Sequence, residues 1–267
     1  MPGPSLTHER RLLRSGAASV VGIDEVGRGS LAGPVTVGAV LVLPQTPTAP
    51  AGLRDSKALT PQQRNALRPK LQRWAPAFGV GHAQPDEIDL LGLTAALRLA
   101  AVRALRAMRA PVAAILLDGC HDWLASTAEG LPEFPGSHRV TTRIKADRDC
   151  SAVAAASVLA KVARDALMVD MAASGDPYGW RSNKGYAAPE HLSGLRRYGP
   201  CRQHRLSWQL PGVGPDSLDL LDPDRRRTWR RFAGGEQLIL LEPDQHHAPA
   251  APIGADPRHP EPGPGQA

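Results

Sequence analysis

An α/β fold, with helices laid over a sheet of short strands, is what the sequence predicts, and three observations carry that expectation. Short apolar runs, partly β-branched, recur at 18–26, 34–43, 77–83 and 112–117, and an alternating one at 138–145, too short for helices and bounded by glycine, proline or charge. Longer segments of helical character stand between them, near 61–74, 85–109 and 149–171. Three of the runs stop at carboxylates: Asp24-Glu25, Asp118 and Asp147. In an open α/β sheet, strand ends converge on a crevice, which is where such folds bind ligands.

In chain order, residues 5–17 are polar and arginine-bearing and predict a short helix or arm. The run Ala18 to Ile23, interrupted by glycine, suits a buried strand. It opens into Asp24-Glu25-Val26-Gly27-Arg28-Gly29-Ser30-Leu31-Ala32-Gly33-Pro34, two acids against a glycine-rich turn where backbone N–H groups can approach a ligand. The glycine spacing does not make a dinucleotide site. That motif needs a bare apolar strand before the glycines and a helix after them, whereas acids precede these and a second β-type run, Pro34 to Leu43, follows. So few residues separate the two runs that they pair as an antiparallel hairpin or meander.

Past the proline-rich loop Pro44 to Gly52, Thr60 as N-cap and Pro61 at the first helical position predict a helix through about Trp74. A strand at Ala77 to Ala83 precedes one long helix from Pro85 to Arg109, its acids early and its arginines late, as the helix dipole favours. Val112 to Leu117 ends in Asp118-Gly119, and His138 to Lys145 ends in Ala146-Asp147. The next helix runs from about Asp149 or Ser151 to Met171, with Asp149 expected as its cap. Its small residues let it pack close to a sheet, and Ser157, Lys161 and Asp165 form its polar stripe. Pro177 to Trp208 is irregular and basic, and from about Pro243 the chain is proline- and glycine-rich without apolar period, a composition of disorder.

With 267 residues the chain can bury a full core, as one domain with additions. Its net charge of +6 favours a polyanionic partner. No apolar run approaches bilayer-spanning length and the N-terminus lacks the apolar core of a secretory signal, so a cytoplasmic protein with no membrane partner is expected. Cys120, Cys150 and Cys201 are scattered, with no C-x-x-C pair, and read as reduced thiols.

The chemistry lies in the acids. Packed together without a cation, Asp24, Glu25, Asp118 and Asp147 would raise one another's pKa values, a repulsion that one or two Mg²⁺ or Mn²⁺ ions relieve. Adjacent strand residues face opposite sides, so Asp24 and Glu25 share a site only through a bulge or strand end, or with Glu25 acting from the flank. Ser157 and Lys161, at i and i+4 in a helix, read as a polar edge rather than a serine–lysine hydrolase. Tyr186 and Trp208 lie amid cations, a pattern suited to stacking on bases or sugars, though Trp208 fits a loop anchor equally. Arg225, Arg226, Arg227, Arg230 and Arg231 read as a solvated helix face.

Over residues 18–208 the chain resembles the bacterial ribonuclease HII (type 2 ribonuclease H) family. The resemblance rests on motifs in order: Gly22-Ile23-Asp24-Glu25-Val26-Gly27-Arg28-Gly29-Ser30-Leu31-Ala32-Gly33-Pro34, Asp55-Ser56-Lys57, Glu87-Ile88-Asp89, Leu117-Asp118-Gly119, Lys145-Ala146-Asp147, the segment Ala155 to Asp165, Asn183-Lys184-Gly185-Tyr186, and His204-Arg205-Leu206-Ser207-Trp208. It departs at Ser30, where proline is commoner, at Ala146, where glycine usually stands, and at Trp208, where phenylalanine is usual.

The resemblance implies a ribonuclease H-like mixed five-stranded sheet flanked by helices as the catalytic domain (18–208); outside it, where residues 209–267 match nothing in the family pattern, the sequence itself suggests an N-terminal arm (1–17), a C-terminal helical extension (209–242) and a disordered tail (243–267). It implies Mn²⁺ or Mg²⁺ held by Asp24, Glu25, Asp118 and Asp147. A turn of Gly27, Arg28 and Gly29 would read the ribose 2′-hydroxyl, Lys57 a phosphate, and Tyr186 the sugar beside the junction. The implied activity is cleavage of the RNA strand of RNA–DNA hybrids, and of single ribonucleotides in duplex DNA, by a monomer. Two rivals remain at this point: a DNA resolvase-like nuclease on the same fold, and a non-catalytic nucleic-acid binding module.

Overall fold

The computed structural model describes residues 3–125, 139–173 and 175–213. Five strands form one sheet in the order β3-β2-β1-β4-β5: β1 (Val20–Val26), β2 (Val35–Val42), β3 (Phe78–Ala83), β4 (Ala114–Asp118) and β5 (Arg139–Arg143). β2 is antiparallel to both β1 and β3, whereas β4 runs parallel to β1 and β5 parallel to β4. The sheet is mixed, and the predicted antiparallel pair, β1 and β2, lies in its antiparallel part.

Two helices cover its faces, and glycines decide how closely. α6 (Ser151–Met171) lies over β1 and β2, where a Cβ at Gly22 would stand 2.4 Å from the Ala152 carbonyl carbon and one at Gly38 would stand 2.3 Å from the Ala156 oxygen. On the opposite face α4 (Leu93–Met108) rests on Gly79 and Gly81, whose Cβ positions fall 2.0 and 2.1 Å from α4 carbonyl oxygens. Any side chain at these four positions would push a helix off the sheet, and with it the apolar contacts that stabilise both. Between sheet and α4 lie Val21, Ile23, Val37, Ala39, Leu97 and Leu117, all buried.

α2 (Pro61–Trp74) begins as the sequence predicts: Thr60 accepts from the Gln63 amide while the Gln63 side chain accepts from the Thr60 amide. Three expectations need correction. The single helix predicted from Pro85 to Arg109 is two, α3 (Pro85–Leu91) and α4, because Gly92 between them takes φ +76°. Asp147 does not end a strand; after β5 the chain turns through Lys145 at φ +60° into a short helix, α5 (Ala146–Asp149). Asp149 does not cap α6, whose N-cap is Cys150, and its carboxylate pairs with Arg143 instead. His138, the arginine cluster at 225–231 and the tail lie outside the described residues, as does all of the extension beyond 213.

α1 (Thr7–Arg14) lies against the start of α6 through Glu9, which is fully buried and accepts the Ala152 amide at 2.8 Å. α7 (Trp180–Asn183) and α8 (Pro189–Tyr198) follow α6, and residues 199–213 return to the turn after β1. No helix among the described residues is long and apolar enough to cross a membrane. The three cysteines are free thiols.

Candidate active site

β1 and β4 set the first two acids side by side. Their parallel register ends at Ile23 opposite Leu117, and one residue further stand Asp24 and Asp118. The amide of Ala146 donates to Asp118 Oδ1 at 2.7 Å, which draws α5 onto the same end of the sheet and brings Asp147 with it. Regular pairing of Asp24 with Gly38 and Glu25 with Val37 puts the two neighbours on opposite faces, with no bulge between them. Asp24 therefore points toward α6, and Glu25 acts from the flank, where its Oε1 accepts from Arg28 at 3.1 Å.

Asp24 is 4% exposed, and its carboxyl is held well above the ordinary range, chiefly by burial, then by the Glu25 and Asp118 charges, against a hydrogen bond from Ser157. Burial also raises Glu25, with Asp118 adding to it and Arg28 opposing. Asp147 is pushed up to about 6 by burial and then by Asp118 and Asp55. Four carboxylates thus feel one another at one end of the sheet. Lys57 is the shared counter-charge: burial works against its proton, but Asp24, Asp55, Asp147 and Asp118 together raise it above the ordinary lysine value.

The set is chemically suited to a hard divalent cation, offering only oxygen donors, and the buried Glu25 Oε2 lacks a hydrogen-bond partner. Among the described residues no trio of His, Cys, Asp or Glu forms a ready-made coordination shell. The acids meet electrostatically rather than as a cage.

Directly beyond β1 the turn at 27–34 is fixed from beneath by two arginines that are both fully buried. Arg205 donates to the carbonyls of Gly27 (2.6 Å), Arg28 (2.8 Å) and Gly33 (3.1 Å). Arg164, from α6, donates to those of Pro34 (2.8 Å), Ala32 (3.1 Å) and Lys184 (2.9 Å). Both also reach Ser30 Oγ, at 2.7 and 2.9 Å, while that hydroxyl donates to Gly27 O. A proline at position 30 would supply none of these bonds. The two neighbouring glycines are glycine for different reasons. Gly27 has φ +89°, and a Cβ there would meet Arg164 Nε at 2.3 Å; at Gly29 nothing lies within 4 Å of a Cβ position, so the space beside it is open.

Tyr186 is half-buried next to this turn, with the Arg164 guanidinium 5.5 Å and the Lys161 ammonium 5.9 Å from its ring centre. The carbonyl of Gly185 before it accepts the amides of Leu31 and Ala32. Lys161 is paired with Asp165 at 2.8 Å and Ser157 with Ser56 at 2.8 Å, which leaves no serine–lysine catalytic pair. Trp208 is a loop anchor, packed with Leu31, Leu195 and Leu206 and lying 4.8 Å from the Arg205 guanidinium.

Sequence reasoning assigned no role to Arg164, Arg205, Asp89, His191 or His204. Asp89 accepts the Leu206 and Ser207 amides and the Ser207 hydroxyl, holding the segment that delivers Arg205. One signal was available: Arg164 is a cation that lies off the polar stripe of Ser157, Lys161 and Asp165 in a helix rich in alanine, valine and leucine.

The mixed sheet and the acids at one end of it define a nuclease of the ribonuclease H class. The family model described as Ribonuclease HII matches residues 21–210. A protein named Ribonuclease HII from Streptomyces coelicolor is 48% identical over 206 residues, 77% of this chain and 83% of the relative. Its namesake from Streptomyces avermitilis is 47% identical over the same shares. The crystal structure of the ribonuclease H2 from Pyrococcus horikoshii OT3 is similar with a TM-score of 0.56 and 25% identity, over 80% of this chain and 99% of that one. The chain belongs to the ribonuclease HII family and is an enzyme, a ribonuclease H.

Proposed function

We propose that the chain is a metal-dependent endoribonuclease that hydrolyses the RNA strand of RNA–DNA hybrids and cuts at single ribonucleotides in duplex DNA, leaving 5′-phosphate and 3′-hydroxyl ends. One observation carries the reading: four mutually coupled carboxylates adjoin a clamped glycine–arginine–glycine turn with open space at Gly29. Asp24, Glu25, Asp118 and Asp147 are the catalytic, metal-holding acids. Mg²⁺ or Mn²⁺, when bound, supplies the charge that lets water attack at neutral pH and that balances the departing 3′ oxygen. Mg²⁺ typically takes one or two carboxylates, substrate phosphate and water. Acids that do not preassemble a cage suit an ion completed by the nucleic acid itself.

The chain's own residues then orient the strand. Lys57 contacts a phosphate beside the acids. Gly27, Arg28 and Gly29 meet the 2′-hydroxyl, the group by which protein tells ribose from deoxyribose. Tyr186 packs on the sugar across the junction, where a second hydroxyl would crowd its ring. The residues named here all lie within 18–208, and the tail from Pro243 takes no part in this chemistry, which would serve DNA repair by a cytoplasmic monomer.

The test is a duplex carrying one embedded ribonucleotide, incubated with Mg²⁺, with Mn²⁺ and with chelator. Metal-dependent incision 5′ to the ribonucleotide or at it, giving a 3′-hydroxyl, is expected. Equal cleavage of an all-DNA duplex would replace the reading with a resolvase-like one, and undiminished cleavage in chelator would remove the metal.

A further inference from the structure

Behind Tyr186 lies a buried cluster of Tyr178, Trp180, His191 and His204 that the chemistry above leaves unused. Both histidines are fully buried, and their Nε2 atoms stand 3.0 Å apart, so at most one proton lies between them. Their other neighbours decide which ring owns it. His191 Nδ1 is 2.9 Å from the Tyr186 carbonyl, which can only accept, so Nδ1 carries a hydrogen. Trp180 Nε1–H points at His191 Nε2 from 3.3 Å, so that nitrogen accepts. The bridging proton belongs to His204 Nε2, which leaves His204 Nδ1 to accept the Cys201 amide at 3.0 Å, a closer contact than the Cys201 carbonyl oxygen at 3.3 Å. Each ring is neutral, in opposite tautomers. Burial also favours the neutral form of His191, against the Tyr186 carbonyl and the Asp176 charge.

The two ends of this pair reach the two recognition elements. His191 holds the Tyr186 carbonyl; His204 is bridged to Ala32, and the next amide, of Arg205, donates to Leu31 O at 3.0 Å before its guanidinium clamps Gly27 and Arg28. We infer that the His191–His204 pair is a positioning device that holds Tyr186 in register with the 27–29 turn, and so sets the preference for a DNA–ribonucleotide junction over a continuous hybrid. The inference rests on the reading of Tyr186 given above. Around the pair, the Asp176 carboxylate is occupied by the Trp180 and Arg181 amides, the Tyr178 hydroxyl donates to Gly199 O, and the Cys201 thiol lies 3.3 Å from His204 Nδ1.

Two substitutions at His204 separate positioning from plain stability. His204→Gln keeps an N–H near the ε position, facing His191. His204→Asn keeps an acceptor for the Cys201 amide but falls short of His191. The quantity read is the ratio of kcat/KM on a single-ribonucleotide duplex to that on a continuous hybrid, with Tyr186→Ala as benchmark and melting temperature as control. His204→Asn is expected to lower the ratio about 5–10-fold, the worth of one hydrogen bond, toward the Tyr186→Ala value, and His204→Gln to restore it to within about twofold. Nitrogen-15 spectra of the unmodified protein should show His191 with its hydrogen on Nδ1 and His204 with its hydrogen on Nε2. If Tyr186→Ala lowers the ratio while His204→Asn leaves it unchanged, the pair does not position Tyr186. Equal losses on both substrates, tracking the melting temperature, overturn the inference in the same way, as does a shared tautomer. An unchanged ratio in Tyr186→Ala removes the reading of Tyr186 itself, and the inference with it.

Discussion

Asp24→Asn should make the metal-free protein more stable while abolishing its activity. Asp24 is 4% exposed, and burial, then Glu25, then Asp118 hold its carboxyl well above the ordinary aspartate value. Such a group binds its proton more tightly folded than unfolded. Its contribution therefore declines as pH rises above the unfolded value near 3.8 and is fully lost above the folded one. Asparagine keeps the oxygen that accepts the Glu25 amide at 2.9 Å and has no charge to bury. Against this, its two amide hydrogens enter a place now held by an acceptor. The net gain at pH 8 is about 1–3 kcal/mol, the usual desolvation cost of a buried group without a partner, or roughly 2–12 °C for a fold of this size. The assay is thermal melting in chelator from pH 5 to 8, where the asparagine variant's advantage should widen with pH. Saturating Mn²⁺ should raise the unmodified protein by about 3 kcal/mol at a hundred times Kd, the variant by less, and cleavage should disappear. A variant that melts lower than the parent in chelator throughout this range, or that still cleaves in saturating metal, refutes the reasoning.

Lys57→Met should lower the melting temperature in chelator by about 2–4 °C and by less in Mn²⁺, since the side chain is exposed and solvent holds its attraction to the acids within about 1 kcal/mol; equal losses in both conditions would show that it does not stand in for the ion. Arg205→Met removes the bonds to Gly27, Arg28, Gly33 and Ser30 and should cost about 2–4 kcal/mol by melting, with cleavage down at least roughly tenfold. Arg205→Lys should not restore it, because an ammonium cannot reproduce the planar fork. Gly29→Val puts its Cβ where no protein atom lies within 4 Å and should leave melting within about 1 kcal/mol while sharply reducing cleavage at a single ribonucleotide, read beside duplex affinity. Tyr186→Ala should slow junction cleavage roughly 5–100-fold, the range for lost stacking, with a smaller effect on a continuous hybrid.

Where the folding instructions are local, the sequence showed them. Thr60, Pro61 and Gln63 lie within one turn and form the cap they predict. The short link between the first two runs allowed only antiparallel pairing, and alternation along β1 was enough to show that Asp24 and Glu25 face opposite sides unless a bulge or strand end intervenes. The failures come from contacts made across the chain or from a single dihedral. Gly92 looks harmless inside a helical pattern until its φ of +76° breaks the helix. Asp147 reads as a strand end because nothing nearby announces that the Ala146 amide will bond Asp118, 28 residues earlier. Asp149 has the composition of a cap, but Arg143 claims its carboxylate. The clamp on the turn was hidden most completely, since Arg205 acts on Gly27 across 178 residues.

That clamp is an unusual use of charge. Arg164 and Arg205 are fully buried, yet among the described residues no carboxylate accepts a hydrogen bond from either; carbonyls, Ser30 and the rings of Tyr186 and Trp208 take that part. Because both bond to Ser30 Oγ, the two cations lie within about 6 Å, and their repulsion at an effective dielectric near 20 is about 3 kcal/mol. Pairing each with an acid would relieve that cost, but would place further negative charge beside the site's carboxylates, of which Asp24, Glu25 and Asp147 already lie above the ordinary range. Neutral acceptors satisfy the guanidinium hydrogens while leaving the positive charge under the turn only partly offset, by Asp165 and Asp89 at a distance. A field of that sign favours the phosphates of an approaching strand. The arrangement therefore gives up some stability to keep the surface at Gly27–Gly29 both rigid and attractive to a polyanion, next to acids that would otherwise repel it.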